Sequence, residues 1–187
     1  MGMKNIADFY PLSPMQQGIL FHCLADPKSG VYFDQFSCTI EGNLNIAAFH
    51  RAWQQVLNRH SILRTCFLWE GLKEPVQVVH RQVKLPFVHQ DWRHLSSVAQ
   101  QEQIEAFLPS DRCQGFNLTV APLMRLLLIQ LTDHSYHFIW SSHHLLLDGW
   151  SVPLIFQEVL AFYKTFAQGQ TLFLPSPRPY RDYIVWL

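Results

Sequence analysis

The chain has 187 residues, with 14 Lys and Arg against 14 Asp and Glu, and 49% of its residues are hydrophobic. That is enough apolar material for one domain, or one lobe of a larger unit, with a substantial core, and it excludes a disordered chain. Zero formal charge and a pI near 7.1 argue against nucleic-acid binding, which calls for a basic excess.

Apolar runs such as Leu126–Ile129 fall far short of the ~20 residues a membrane-spanning helix needs. The opening MGMKNIADFYPL has no apolar core of the kind a secretion signal carries, and Ile6 does not fit a myristoylation pattern. No membrane partner and a cytoplasmic location are the expectations. Cys23, Cys38, Cys66 and Cys113 are widely spaced with no C-x-x-C pair, which argues against a zinc ribbon and against disulfides. All four read as small core or boundary residues. Most of the ten histidines stand singly, and only His143 and His144 are adjacent.

In chain order, Ser13-Pro14-Met15-Gln16 predicts a helix start, with Ser13 as cap, Pro14 in the first turn and Gln16 reaching back. Met15, Ile19 and His22–Cys23 carry its period until Asp26-Pro27. Residues 32–41 alternate as a strand with Phe36, Cys38 and Ile40 on one face. Ile46, Phe49, Trp53, Val56 and Leu57 predict a core-facing helix ending near His60. Strands are expected at 63–69 and 76–79, then a helix over 96–109 with Val98, Ile104, Phe107 and Leu108 inward. The strand at 122–131 is too uniformly apolar to have a wet face, so it is placed centrally in a covered sheet. A turn at 132–135 makes a hairpin with the strand at 136–142. A helix begins at Ser151 with Leu154, Ile155, Val159, Phe162 and Phe166 on its apolar face, and a Pro-punctuated stretch turns helical near Tyr183. The fold class is α/β, a mixed β-sheet covered by helices.

Chemistry concentrates at Ser142-His143-His144-Leu145-Leu146-Leu147-Asp148-Gly149-Trp150-Ser151, a loop between strand and helix, where a rigid scaffold can present reactive groups. Adjacent side chains on an extended segment diverge, so only one of the two histidines can face a given cleft. An imidazole titrates near cellular pH and suits general base work. Asp148 can fold back to orient the loop, and Gly149 is expected to allow backbone geometry that other residues resist. A purely structural histidine pair remains an alternative. A metal site of His143, His144 and Asp148 is disfavoured by the divergence of neighbours, and none is expected. No G-x-S-x-G, P-loop or G-x-G-x-x-G is present.

The segment His143-His144-x-x-x-Asp148-Gly149-Trp150-Ser151 resembles the HHxxxDGWS signature of condensation domains from nonribosomal peptide synthetases. Tyr10-Pro11-Leu12-Ser13-Pro14-Met15-Gln16-Gln17-Gly18-Ile19-Leu20-Phe21-His22 resembles that family's opening motif. Arg59-His60-Ser61-Ile62-Leu63-Arg64-Thr65-Cys66-Phe67 resembles its second motif, and Tyr180-Arg181-Asp182-Tyr183 resembles the stretch after its Pro-rich segment. The resemblance covers essentially the whole chain, in family order. It implies residues 1–187 are the N-terminal lobe of a two-lobed, chloramphenicol-acetyltransferase-like domain, with the C-terminal lobe absent.

The resemblance implies amide formation between a donor acyl or peptidyl thioester and the amine of an acceptor aminoacyl thioester. Both would be carried on phosphopantetheine arms of carrier proteins, with no cofactor bound directly. His144 would face the tunnel as base or positioner of the amine, and the Gly149 N–H would stabilise the oxyanion. His143 would support the loop, Asp148 would pair with Arg64 beneath the site, and Trp150 and Ser151 would pack the loop and cap the next helix. Expected partners are donor and acceptor carrier proteins and the second lobe. A single lobe is expected to be inactive alone and to self-associate through its uncovered face. A non-catalytic docking fragment of the same fold and a CoA-dependent acyltransferase are the alternatives. An epimerisation domain is disfavoured by Trp150-Ser151-Val152-Pro153.

Overall fold

Two sheets and the helices against them set the architecture of this computed structural model, which describes residues 5–27 and 29–187. Met1–Lys4, part of the opening read for leader and lipidation signals, lie outside the described residues. A three-stranded antiparallel sheet has the order β1 (Ile6–Pro11), β4 (Val76–His80), β3 (Thr65–Leu68). A four-stranded mixed sheet has the order β2 (Phe33–Glu41), β7 (Ser135–His143), β6 (Met124–Gln130), β5 (Phe87–Asp91). Only β5 and β6 run parallel in it. The helices are α1 (Pro14–Ala25), α2 (Ile46–Arg59), α3 (Ser97–Gln114), α4 (Ser151–Ala167) and α5 (Tyr180–Trp186), with a short 3-10 turn at Ser61–Arg64.

The pattern of β6 explains how the four-stranded sheet is covered. Leu126 and Leu128 point into the main core with Phe138 and Trp140 of β7, where α2 supplies Phe49, Trp53, Val56 and Leu57 and α4 supplies Ile155, Val159 and Phe162. Leu127 and Ile129 point the other way, meeting Ile139 and Ile104 of α3. A strand wet on neither face reads as a continuous apolar run. The Trp53 and Trp140 rings meet edge to face at 5.0 Å, the geometry aromatic quadrupoles favour.

Several expectations are corrected. β1 and β5 are strands beyond those expected: β1 is buried at alternate positions but carries Asp8 inward and Phe9 outward, and β5, an edge strand, is exposed beyond Phe87. Helix α3 does not stop at Pro109 but runs to Gln114. Its last turn is held from outside: the buried Asp111 carboxylate accepts from Arg125 Nε at 2.6 Å, Ser141 Oγ at 2.5 Å and Gln35 Nε2 at 2.7 Å. Tertiary anchoring thus outweighs the breaker. Met15, Val98 and Leu154, read as inward, are exposed, while Gln16 and Gln100 are buried. Cys66 is buried and Cys23 and Cys38 are half-buried, but Cys113 is exposed on the last turn of α3. Among the described residues no helix is long and apolar enough to cross a membrane.

The sheet also places the site. β7 delivers residues 143–149 where its C-terminal end meets the N-terminal end of β2, beside the N-terminus of α1 and ahead of α4.

Candidate active site

The two histidines separate at the last rung of the β2–β7 ladder. Phe33 pairs with His143, the His143 N–H donates to Leu123 O at 3.0 Å, and the His144 N–H donates to Tyr32 O at 2.9 Å. His143 is 7% exposed. Its Nδ1 accepts the Leu145 N–H at 3.1 Å, so the proton of the neutral ring sits on Nε2, which lies 3.6 Å from Cys23 Sγ. Burial pushes this imidazole down to about 4, with Asp34 opposing and His144 adding to the fall. It is neutral at cellular pH.

The His144 side chain is 38% exposed, and its Nδ1 lies 2.7 Å from Asp34 Oδ2 on β2. Sequence reasoning passed over Asp34, which lies 110 positions away and reaches the site only through strand pairing.

The turn after His144 is gripped at one residue, Leu145. The N–H of Leu145 goes to His143, and its carbonyl accepts from Gln16 Nε2 at 3.1 Å. Gln16 Oε1 accepts from Ser13 N–H and from Gln77 Nε2, both at 3.0 Å, and Gln77 Nε2 also donates to Pro11 O at 2.9 Å. Gln16 therefore completes the capping box of α1 and ties the opening motif to the histidine loop. Leu145, Leu146 and Leu147 are buried behind it.

The remaining loop residues differ in part from expectation. Asp148 does not pair with Arg64. Its Oδ1 accepts from Ser151 N–H at 2.9 Å and Ser151 Oγ at 2.7 Å, and the Ser151 hydroxyl holds the carboxyl below its ordinary range. Arg64 closes the 3-10 turn before β3, and strand pairing sets it beside the end of β4. There its Nη1 donates to the carbonyls of His80 and Arg81. Trp150 does not pack the loop; it is 88% exposed, and its side chain makes no cap to α4. The capping acceptor for Ser151 is Asp148 instead, an acid placed favourably ahead of a helix N-terminus. Gly149 has no left-handed backbone, and a Cβ there would meet nothing within 4 Å, so strain does not require glycine. Open space lies around it.

His144 stands on the rim of two depressions. One, of about 580 Å³, is walled by Met15, Ile19, Ile62, Leu146, Leu154 and Tyr183 among others. The other, of about 250 Å³, is walled by Asp34, Phe36, Trp140, Gly149 and Val152 among others. Leu147 and Asp148 border both. One half-open imidazole thus faces two spaces, an arrangement suited to proton transfer between reactants that arrive from different sides. Among the described residues no three His, Cys, Asp or Glu side chains converge as metal ligands.

A family profile described as a condensation domain matches residues 6–187. The chain belongs to the condensation domain family. Among curated relatives of this condensation-domain chain, one component of the linear gramicidin synthase of Brevibacillus parabrevis is 48% identical over 98% of the chain and 4% of its own length. Bacitracin synthase 1 of Bacillus licheniformis is 38% identical over 98% of the chain and 4% of its own length. Among solved structures, the starter condensation domain of rhizomide synthetase superposes with a TM-score of 0.85 at 24% identity, over 96% of the chain and 45% of that chain. The first condensation domain of the calcium-dependent antibiotic synthetase gives 0.85 at 17% identity, over 97% and 45%. These likenesses establish the chloramphenicol-acetyltransferase-like α/β fold. The chain spans a few per cent of the curated relatives and under half of the solved chains.

Proposed function

We propose that this chain is the N-terminal, motif-bearing lobe of a peptide-bond-forming condensation domain. In this reading it joins a donor acyl or peptidyl thioester to the amine of an acceptor aminoacyl thioester, each delivered on the phosphopantetheine arm of a carrier protein. The observation that carries the reading is the placement of His144, open to two depressions at once. Two tethered substrates need two approaches to one reacting point, and the two depressions beside His144 support that reading.

The reaction forms a C–N bond and breaks a C–S bond. The acceptor nitrogen attacks the thioester carbonyl, sheds a proton as the tetrahedral centre collapses, and the pantetheine sulfur leaves and is protonated. An α-amine has an ordinary pKa near ~8 and is partly neutral already. Orienting it in the cleft therefore contributes beside proton removal. His144 takes or holds that proton. The developing oxyanion is assigned to the N–H of Gly149, supported by the open space at that residue and by its place just ahead of α4. His143 and Gln16 hold the turn that carries His144.

The test is a condensation assay on the two-lobed domain containing this chain, with donor and acceptor loaded on carrier proteins and the amide product read by mass. His144→Ala is expected to lower product formation by roughly 10²-fold or more, the usual worth of a positioned acid–base group, with the circular dichroism spectrum unchanged. Full product formation by that variant would overturn the reading in favour of a docking role. Robust turnover by residues 1–187 alone would overturn the assignment of a second lobe.

A further inference from the structure

We propose that Asp34 is a positioning residue for His144: it fixes the tautomer of the imidazole and stabilises the imidazolium once a proton is accepted. The inference rests on the role proposed for His144 and adds the group that makes that ring work. Its basis is the strand register. Asp34 pairs with Ser142 on the β2–β7 ladder, and His144 lies two residues beyond Ser142. Such diagonal neighbours on one sheet face are within reach of long side chains. Phe33 turns inward to stack on Phe116 at 5.2 Å, so Asp34, the next residue, faces the opposite side, toward the cleft. The His144 N–H donating to Tyr32 O extends the ladder one rung past β7 and sets the backbone from which the imidazole meets the carboxylate. The backbone and the ring of His144 are thus both held by β2.

A separation of 2.7 Å lies in the range of charge-assisted bonds. An ionised carboxylate only accepts, so Nδ1 carries hydrogen and the lone pair of the neutral ring is on Nε2. The other titratable groups around His144 are engaged elsewhere or lie across the cleft. Asp148 is bonded to Ser151, and His143 points to the opposite sheet face with its Nδ1 on Leu145. His60 is paired with Glu158 at 2.8 Å, and Tyr180 and Tyr183 border the larger depression. The Tyr32 ring flanks the imidazole at 6.3 Å. A carboxylate that orients a histidine base and stabilises its protonated form is a recurring device of acid–base catalysis.

Two readouts test this. The first is the ¹⁵N spectrum of the histidine rings of the folded chain, with the His144 signals identified by their loss in His144→Ala. The wild type should show the Nδ1–H tautomer at His144 and the Nε2–H tautomer at His143. Asp34→Asn and Asp34→Ala should move His144 alone toward Nε2–H. The second is steady-state condensation by the two-lobed domain. Asp34→Asn should lower kcat roughly tenfold or more with KM unchanged, and Asp34→Glu should restore part of the loss. A purely structural role for Asp34 would leave the tautomer and the KM-against-kcat split unmoved.

An Nε2–H tautomer at wild-type His144, or an unchanged kcat in Asp34→Asn beside a dead His144→Ala, overturns this inference alone. Condensation that survives in His144→Ala overturns the reading of the site and this inference with it.

Discussion

His143 and His144 are neighbours of one chemical type, and their different surroundings give them different work. The ring of His143 is neutral because the core around it penalises charge. Its pKa is about 4 folded against 6.5 ordinarily, so between those values the unfolded chain binds more protons than the folded one. Stability is then full above pH 6.5 and falls as pH drops toward 4, by about 3 kcal/mol at the limit. His50, His80 and His137 are lowered by burial too and tilt the curve the same way. His143→Asn keeps an acceptor for the Leu145 N–H and removes the titration. Urea unfolding between roughly pH 7.5 and pH 5 should show a flatter pH dependence in that variant than in the wild type, and identical slopes would contradict the burial argument. That the two rings diverge was legible, because alternation on an extended segment is local geometry. Asp34 was not, because the register that brings β2 against β7 is written in no local pattern.

At the scale of elements, α1 and the loop after β7 act as one piece through Gln16. The capping box of α1 could be read from Ser13 and Gln16, since both ends lie within one turn. Its second duty, holding the Leu145 carbonyl, joins residues 129 positions apart and left no trace in spacing. Gln16→Leu strands Leu145 O and Ser13 N–H and leaves Gln77 Nε2 with Pro11 O as its partner. We expect a loss of about 1–3 kcal/mol in denaturant unfolding, with faster amide exchange across residues 143–147. Unchanged exchange there would show that the turn holds without α1. The same limit explains the other misreadings. Pro109 is a local breaker overruled by Asp111 and its distant partners. β5 lacks an apolar alternation because only its Phe87 end turns toward the core. The long amphipathic helices α2 and α4 and the apolar β6 were legible, because in each the core contact imposes its own period.

Across the whole molecule, one ring of the histidine pair is buried against Cys23 of α1 and Phe116, and the other stands beside a cleft. Met15, Leu154 and Trp186 stand in solvent at 74%, 63% and 78% exposure. Met15 and Leu154 border the larger depression, and under the proposed reading this is surface that a second lobe covers. The fold class was legible from the alternation of helical and strand periods. The division into two sheets was not, because β1 reaches β4 only through tertiary pairing.

The central claim is that this fold offers one imidazole of the pair to chemistry and withholds the other. Diethyl pyrocarbonate acylates accessible neutral imidazoles, and peptide masses locate the adducts. In the folded chain at neutral pH, His144 should be modified along with the exposed His89 and His94, while His143 stays unmodified until the protein unfolds. Modification of His143 at the rate of His144, or a His144 that resists the reagent, would contradict the account.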